Sequence, residues 1–136
     1  MKLLADTSVW SLALRRKPTA ILNAEEKRLV ATFSEAISDG RVVIIGPIRQ
    51  ELLSGIKEPA QFEKLKNALG AFRDEPIETP DYEEVGRLYN MCRARGVECG
   101  PVDILICAVA ARRKWSVLAN DALLNRCVQI AGVSQR

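Results

Sequence analysis

Val42-Val43-Ile44-Ile45 constrains the fold more than any other stretch of the chain. Successive side chains on a strand point to opposite faces. Four β-branched residues in a row, ended by Gly46-Pro47, therefore fit a strand with both faces buried. Such strands belong to parallel sheets covered on both sides by helices. Residues 2–5 repeat the pattern, apolar at every position after Lys2, and Trp115 to Ala119 provides a third strand. Two weaker candidates are Pro76-Ile77-Glu78-Thr79-Pro80, whose prolines suit an edge, and Val128-Gln129-Ile130-Ala131.

Helical periodicity fills the intervals. Asn23 and Glu26 have the spacing of a capping box, and Leu29, Val30, Phe33 and Ile37 follow on one face as far as Asp39-Gly40. Pro47 suits a first helical turn, with Ile48, Leu52 and Ile56 behind it. A segment from about Ala60 to Phe72 forms a hairpin with that helix. Asp81 and Glu84 open another helix, which runs through Val85, Leu88 and Met91 to Gly96. Ile104 to Ala111 has no polar side chain except a thiol, and its period is ambiguous. Pro101 at the start, the alanines, and Arg112-Arg113-Lys114 at the end favour a buried helix. Alternating strands and helices in 136 residues, 48% of them apolar, imply one α/β domain over residues 1–136 with a mostly parallel sheet.

Several classes of function are excluded. The chain has no histidine, which rules out Ser-His-Asp and Cys-His catalysis. Gly46-Pro47 and Gly100-Pro101 do not form a phosphate-binding glycine loop. The first apolar run lasts three residues before Asp6, too short for a signal sequence or a membrane span, so a soluble cytoplasmic protein is expected. Cys92, Cys99, Cys107 and Cys127 include no C-x-x-C pair, and a structural zinc site without histidine would need all four thiolates; reduced thiols are expected instead. A net charge of +3 permits an acidic partner without requiring one.

In a parallel sheet, ligands sit beyond the carboxyl ends of the strands. Asp6 ends the first strand, Glu51 lies about a turn into the helix after the second, and Asp121 follows the strand at Trp115. Asp103 reaches the same rim if its buried helix starts where its strand ends. Each has an ordinary structural explanation on its own. Asp6 and Asp121 fit helix caps, Asp103 a helix-dipole contact, and Glu51 a solvated helix position. Together on one rim they would repel one another unless a cation neutralised them. Oxygen-only ligands point to a hard ion, Mg²⁺ or Mn²⁺, and such an ion suits hydrolysis of a nucleic-acid phosphodiester. Arg15-Arg16-Lys17 and Arg49 could border the rim and receive phosphates, with Arg93 and Arg95 extending the border.

Four segments resemble the motifs of PIN-domain ribonucleases, in order and spacing: Leu4-Ala5-Asp6-Thr7-Ser8-Val9-Trp10, Gly46 to Gly55 around Glu51, Val102-Asp103-Ile104 to Ala110, and Leu118-Ala119-Asn120-Asp121. The chain is similar from end to end to VapC toxins of toxin–antitoxin pairs. The resemblance implies a three-layer α/β/α sandwich around a five-stranded parallel sheet. It implies Mg²⁺- or Mn²⁺-dependent endonucleolytic cleavage of RNA, a homodimer, and an antitoxin docked by the helical hairpin at residues 47–72. It makes Asp6, Glu51, Asp103 and Asp121 the acidic quartet, with Asp6 and Asp103 the firmest metal ligands and Ser8 placed to orient Asp6 or a bound water.

Two departures from the family pattern stand out. Ala119 replaces a threonine common among relatives, and Leu123-Leu124 replaces an acidic-aromatic pair, which thins the support around the metal. The competing reading is therefore a PIN-like module that binds RNA or protein without cutting. A dehalogenase-type phosphatase needs a second aspartate where Ser8 stands, and a receiver's later aspartate and lysine are missing in the right order.

Overall fold

The computed structural model describes residues 1–14 and 21–136. The chain runs β1 (Leu3–Ala5), α1 (Thr7–Leu14), α2 (Ala24–Ser38), β2 (Val42–Val43), α3 (Gly46–Leu53), α4 (Pro59–Leu69), α5 (Thr79–Ala94), α6 (Pro101–Arg113), β3 (Ser116–Leu118) and α7 (Ala122–Ala131). The sheet is parallel in the order β2-β1-β3, with Leu3 opposite both Val42 and Ser116. Leu3, Leu4 and Ala5 are all inaccessible to solvent, so helices must cover both faces of the central strand. The helices fall into two packing groups: α1 touches α2 and α3, while α5, α6 and α7 pack on one another. In the first group Trp10 meets Phe33 and Phe72 edge to face, at centroid distances of 4.8 and 5.0 Å.

The sheet has three strands among the described residues, not five. Neither expected outer strand forms; beyond the three strands the described residues hold two isolated parallel bridges, Ile44 with Asp74 and Val117 with Gln135, both outside the expected segments. At the first edge the Glu75 N–H donates to the Ile44 carbonyl at 2.8 Å, but Pro76 lacks the N–H that would continue a ladder. Residues 76–78 form no strand and lead into α5, which starts at Thr79 with Pro80 in its first turn. Its capping box uses Glu78 and Asp81, one turn earlier than Asp81 and Glu84 would place it. At the other edge, residues 128–131 belong to α7. Leu124, Cys127 and Val128 bury at helical spacing, and Gly132 ends the helix in the left-handed region at φ 71°. The edge bonds come from further along, where Val117 donates to Ser134 at 2.9 Å and accepts from Arg136 at 3.1 Å.

The thiol expectation also changes. Cys99 and Cys127 are joined by a disulfide, with Cα atoms 6.6 Å apart, while Cys92 and Cys107 are free and buried. The expected Asn23 box does form: Glu26 N–H donates to Asn23 Oδ1 at 2.8 Å and Asn23 N–H donates to Glu26 Oε1 at 3.0 Å. Among the described residues, no helix is long and apolar enough to cross a membrane.

α6 is the buried helix, with Ile104 to Ala110 all in the core. Its basic end is held by Asp81, which is fully buried. Asp81 accepts from Arg112 Nη1 at 2.6 Å, Arg113 Nη2 at 2.7 Å and the Glu78 N–H at 2.8 Å. Burial pushes this carboxyl up, but the Glu78 N–H and the two guanidiniums outweigh it and hold the pKa below the ordinary aspartate value. The stabilisation is therefore present above the ordinary aspartate range and is lost as pH falls through the depressed folded value. Replacing Asp81 with Asn leaves two guanidiniums facing a neutral group, and the expected cost near neutral pH is about 3 kcal/mol. Urea titration should show a lower midpoint with an unchanged slope; an unchanged midpoint would contradict the assignment.

Candidate metal and nuclease site

The central strand delivers the first carboxylate. The Asp6 N–H donates to the Leu118 carbonyl at 3.0 Å, so the pairing of β1 with β3 carries on one residue past the end of β1. The chain then turns directly into α1. Asp6 Oδ1 accepts the Ser8 hydroxyl at 2.6 Å and the Val9 N–H at 3.3 Å. The Ser8 oxygen in turn accepts the Asn120 N–H at 2.9 Å, which ties the end of β1 to the segment after β3. Ser8 therefore orients Asp6 while joining the two motifs.

The remaining carboxylates come from three helices. Glu51 sits in the last turns of α3, where Thr7 Oγ1 donates to its Oε1 at 2.5 Å. Asp103 lies in the first turn of α6. Asp121 is the N-cap of α7, with Oδ1 accepting the Leu124 N–H at 2.9 Å. Asp6, Glu51, Asp103 and Asp121 all line one cleft of about 540 Å³, as the strand-end argument requires. Thr7, Gln50, Ser54 and Ile106 complete its wall together with Ser8. Of these, Thr7 carries a legible signal, a hydroxyl beside a strand-end aspartate. Gln50 and Ser54 flank Glu51 on an exposed helix surface and give none.

The basic border does not take the expected form. Arg49 donates to Asp74 at 2.9 Å, to the Leu69 carbonyl at 3.0 Å and to the Phe72 carbonyl, so it clamps the end of α4 and does not line the cleft. Arg95 lines a different cleft, together with Arg126. Arg15, Arg16 and Lys17 lie outside the described residues.

Electrostatics follow from this crowding. Burial raises the Asp6 pKa to about 6; the Ser8 hydroxyl and the Val9 N–H pull it back in part, and the charge of Asp103 adds to the rise. Asp103 is also raised, first by burial and then by the charges of Asp121 and Glu51. Among the described residues, no lysine or arginine forms an ion pair with any of the four. The oxygens remain loosely spaced: among the described residues, the only trio of candidate ligand atoms within 4.8 Å of one another is a cysteine trio. An open, oxygen-only, anionic cleft suits a hard divalent ion that keeps several waters and takes one or two carboxylates directly. It does not suit a closed, all-protein cage.

Residues 3–127 match the PIN domain family, and the chain belongs to it. PIN domains are in general nucleases that use divalent metal ions. No curated protein sequence matches the chain. Among solved structures it is similar to FitAcB from Neisseria gonorrhoeae, at 22% identity and a TM-score of 0.76, over 98% of this chain and 95% of that one. It is similar to VapBC2 from Rickettsia felis bound to a promoter DNA fragment, at 13% identity and a TM-score of 0.75, over 100% of this chain and 98% of that one. DNA-bound VapBC from Salmonella typhimurium matches at 17% identity and a TM-score of 0.71, over 100% and 97%. At these identities the likeness establishes the fold.

The raised Asp6 value gives a pH-dependent cost to the metal-free protein. Folding favours the protonated carboxyl, so stability falls as pH rises from the ordinary value of 3.8 to about 6 and stays lower above that. A shift of this size corresponds to about 3 kcal/mol. Asp6→Asn keeps an oxygen for Ser8 and Val9 and carries no charge. In a chelator, thermal unfolding should find the variant more stable than the parent at pH 8, with the gap closing towards pH 4. Equal stability at pH 8 would show that the carboxylate is not penalised.

Proposed function

We propose that the chain is a metal-dependent endoribonuclease acting as the toxin of a toxin–antitoxin pair. The observation that carries this reading is the cleft itself, where four carboxylates from four separate segments meet without a basic partner among the described residues. Support for the partner comes from the fold, shared with VapBC and FitAcB structures, two VapBC examples of which are bound to DNA. On this reading the substrate is RNA, the protein is a cytoplasmic homodimer, and the antitoxin docks by the α3–α4 hairpin.

Asp6 and Asp103 would hold Mg²⁺ or Mn²⁺ most directly, with Glu51 and Asp121 completing the site through oxygen or water. When bound, such an ion lowers the pKa of a water and offsets charge developing on the phosphodiester. The chain's own contribution is placement. Ser8 fixes the Asp6 rotamer, Thr7 holds Glu51, and the Leu124 N–H holds Asp121. Below about pH 6 Asp6 takes up a proton and its affinity for a cation drops, so cleavage should fall on acidification. Arg15, Arg16 and Lys17 are the candidates for phosphate contact, a role Arg49 is less free to fill while it holds the end of α4.

The second reading, a PIN-like module that binds without cutting, draws on Ala119 and Leu123-Leu124, which supply no polar group where relatives have one. Metal titration separates the two. At a 100-fold excess over the dissociation constant, Mg²⁺ or Mn²⁺ should stabilise a working site by about 2.7 kcal/mol, read as a thermal shift. Asp103→Asn should abolish that shift and RNA cleavage together while the circular dichroism spectrum is unchanged. An Asp6→Asn/Asp103→Asn double variant that still cuts RNA would overturn the nuclease assignment.

A further inference from the structure

The cysteines serve no role in the cleft chemistry, yet three of them converge. Cys92 is in the last turn of α5, Cys99 directly precedes the Gly100 cap of α6, and Cys127 is in the middle of α7. All three are buried, and their sulfurs lie within 4.8 Å of one another. We propose that in the reduced chain Cys92, Cys99 and Cys127 form a thiolate site for one thiophilic divalent cation of the zinc class, with the Cys99–Cys127 disulfide as its oxidised, metal-free state.

Two cysteines suffice for a cross-link. A third sulfur within reach of both, supplied by a third element, is what a metal site requires and a disulfide does not. Buried thiolates around a divalent cation are a soft donor set, opposite in preference to the carboxylate cleft. Three thiolates and one such ion leave a net charge of −1, and a guanidinium is at hand to offset it. Burial raises the Cys92 thiol, and Arg95 opposes that rise. Arg95 and Arg126, the neighbour of Cys127, line one cleft of about 270 Å³ on this side of the molecule. Zinc prefers four ligands. With three thiolates the fourth position falls to water; Cys107 lies outside the trio and stays a thiol, pushed up to about 12 by burial first and then by the neighbouring Cys92 and Asp103.

Loading moves no electrons. The cation displaces three thiol protons to solvent as three metal–sulfur bonds form. The oxidised state arises by exchange with a low-molecular-weight disulfide. One S–S bond forms between Cys99 and Cys127, the small disulfide is cleaved to two thiols, the cation is released, and three protons return from solvent, two to those thiols and one to Cys92. Either state ties the start of α6, which carries Asp103, to α7, which Asp121 caps. The proposal nonetheless stands apart from the nuclease reading.

The test uses the full chain, reduced with a phosphine, and Co²⁺ as probe. Carboxylate binding gives no sulfur-to-cobalt charge-transfer absorption, so the near-ultraviolet band reports the thiolate site alone. One equivalent of Co²⁺ should produce the band, and Zn²⁺ should displace it. Cys99→Ser should weaken retention by at least the roughly 100-fold that loss of supporting groups around a metal can reach. Absence of the band, or its survival in Cys99→Ser, would overturn the proposal. If the reduced metal-free chain unfolds, recovery of its helical circular dichroism on adding Zn²⁺ supports the site, and no recovery overturns it.

Discussion

The site depends on β1 being hydrogen-bonded on both sides and covered on both faces. Its three apolar residues are fully buried, and the ladder to β3 continues to the Asp6 N–H. The backbone at Asp6 therefore has little freedom, and its carboxyl group enters the cleft from the most constrained part of the molecule. The strand ends on the first residue the core cannot accommodate without cost. That cost appears as a carboxyl group titrating near 6.

Capping and the proposed ligand roles are compatible in these residues. Asp6 uses Oδ1 for Ser8 and Val9, and Asp121 uses Oδ1 for Leu124. A carboxylate has two oxygens and about four lone-pair directions, so one oxygen can fix the rotamer while the other remains without a protein donor. Each cap thus orients a carboxylate for the cleft, and each helix N-terminus favours the negative charge it holds. The ordinary structural explanation of these residues is part of how the site is built.

What was legible in the sequence follows the reach of each signal. Strand burial, the Asn23 capping box and the apolar α6 are local patterns, and they were readable residue by residue. The four carboxylates were readable because strand ends in a parallel sheet define one rim. The outer strands were not, because proline at 76 and helical burial of Leu124, Cys127 and Val128 outweigh a short β-like composition. Arg49 looked free to meet phosphate because nothing in its neighbourhood shows that the Leu69 and Phe72 carbonyls end up beside it. The cysteine cluster was invisible for the same reason: Cys99 and Cys127 are 28 residues apart and meet only because α6 and α7 pack.

The charge balance of the molecule makes the same point at larger scale. Buried Asp81 at the basic end of α6 accepts from two guanidiniums and the Glu78 N–H, whereas Asp6 and Asp103 at the carboxylate cleft have no cationic partner among the described residues. One helix therefore has a neutralised acidic contact at its C-terminus and an unneutralised acidic contact at its N-terminus. Burial raises the Asp6 and Asp103 pKa values and the neighbouring carboxylates add to the rise, while Asp81 shows that a buried carboxylate in this fold can be satisfied by arginine. The difference lies in what is left for a ligand. Arginines at the cleft would occupy the oxygens that a divalent ion needs, so on the proposed reading the cost of burying these carboxylates and the binding of a cation have the same origin.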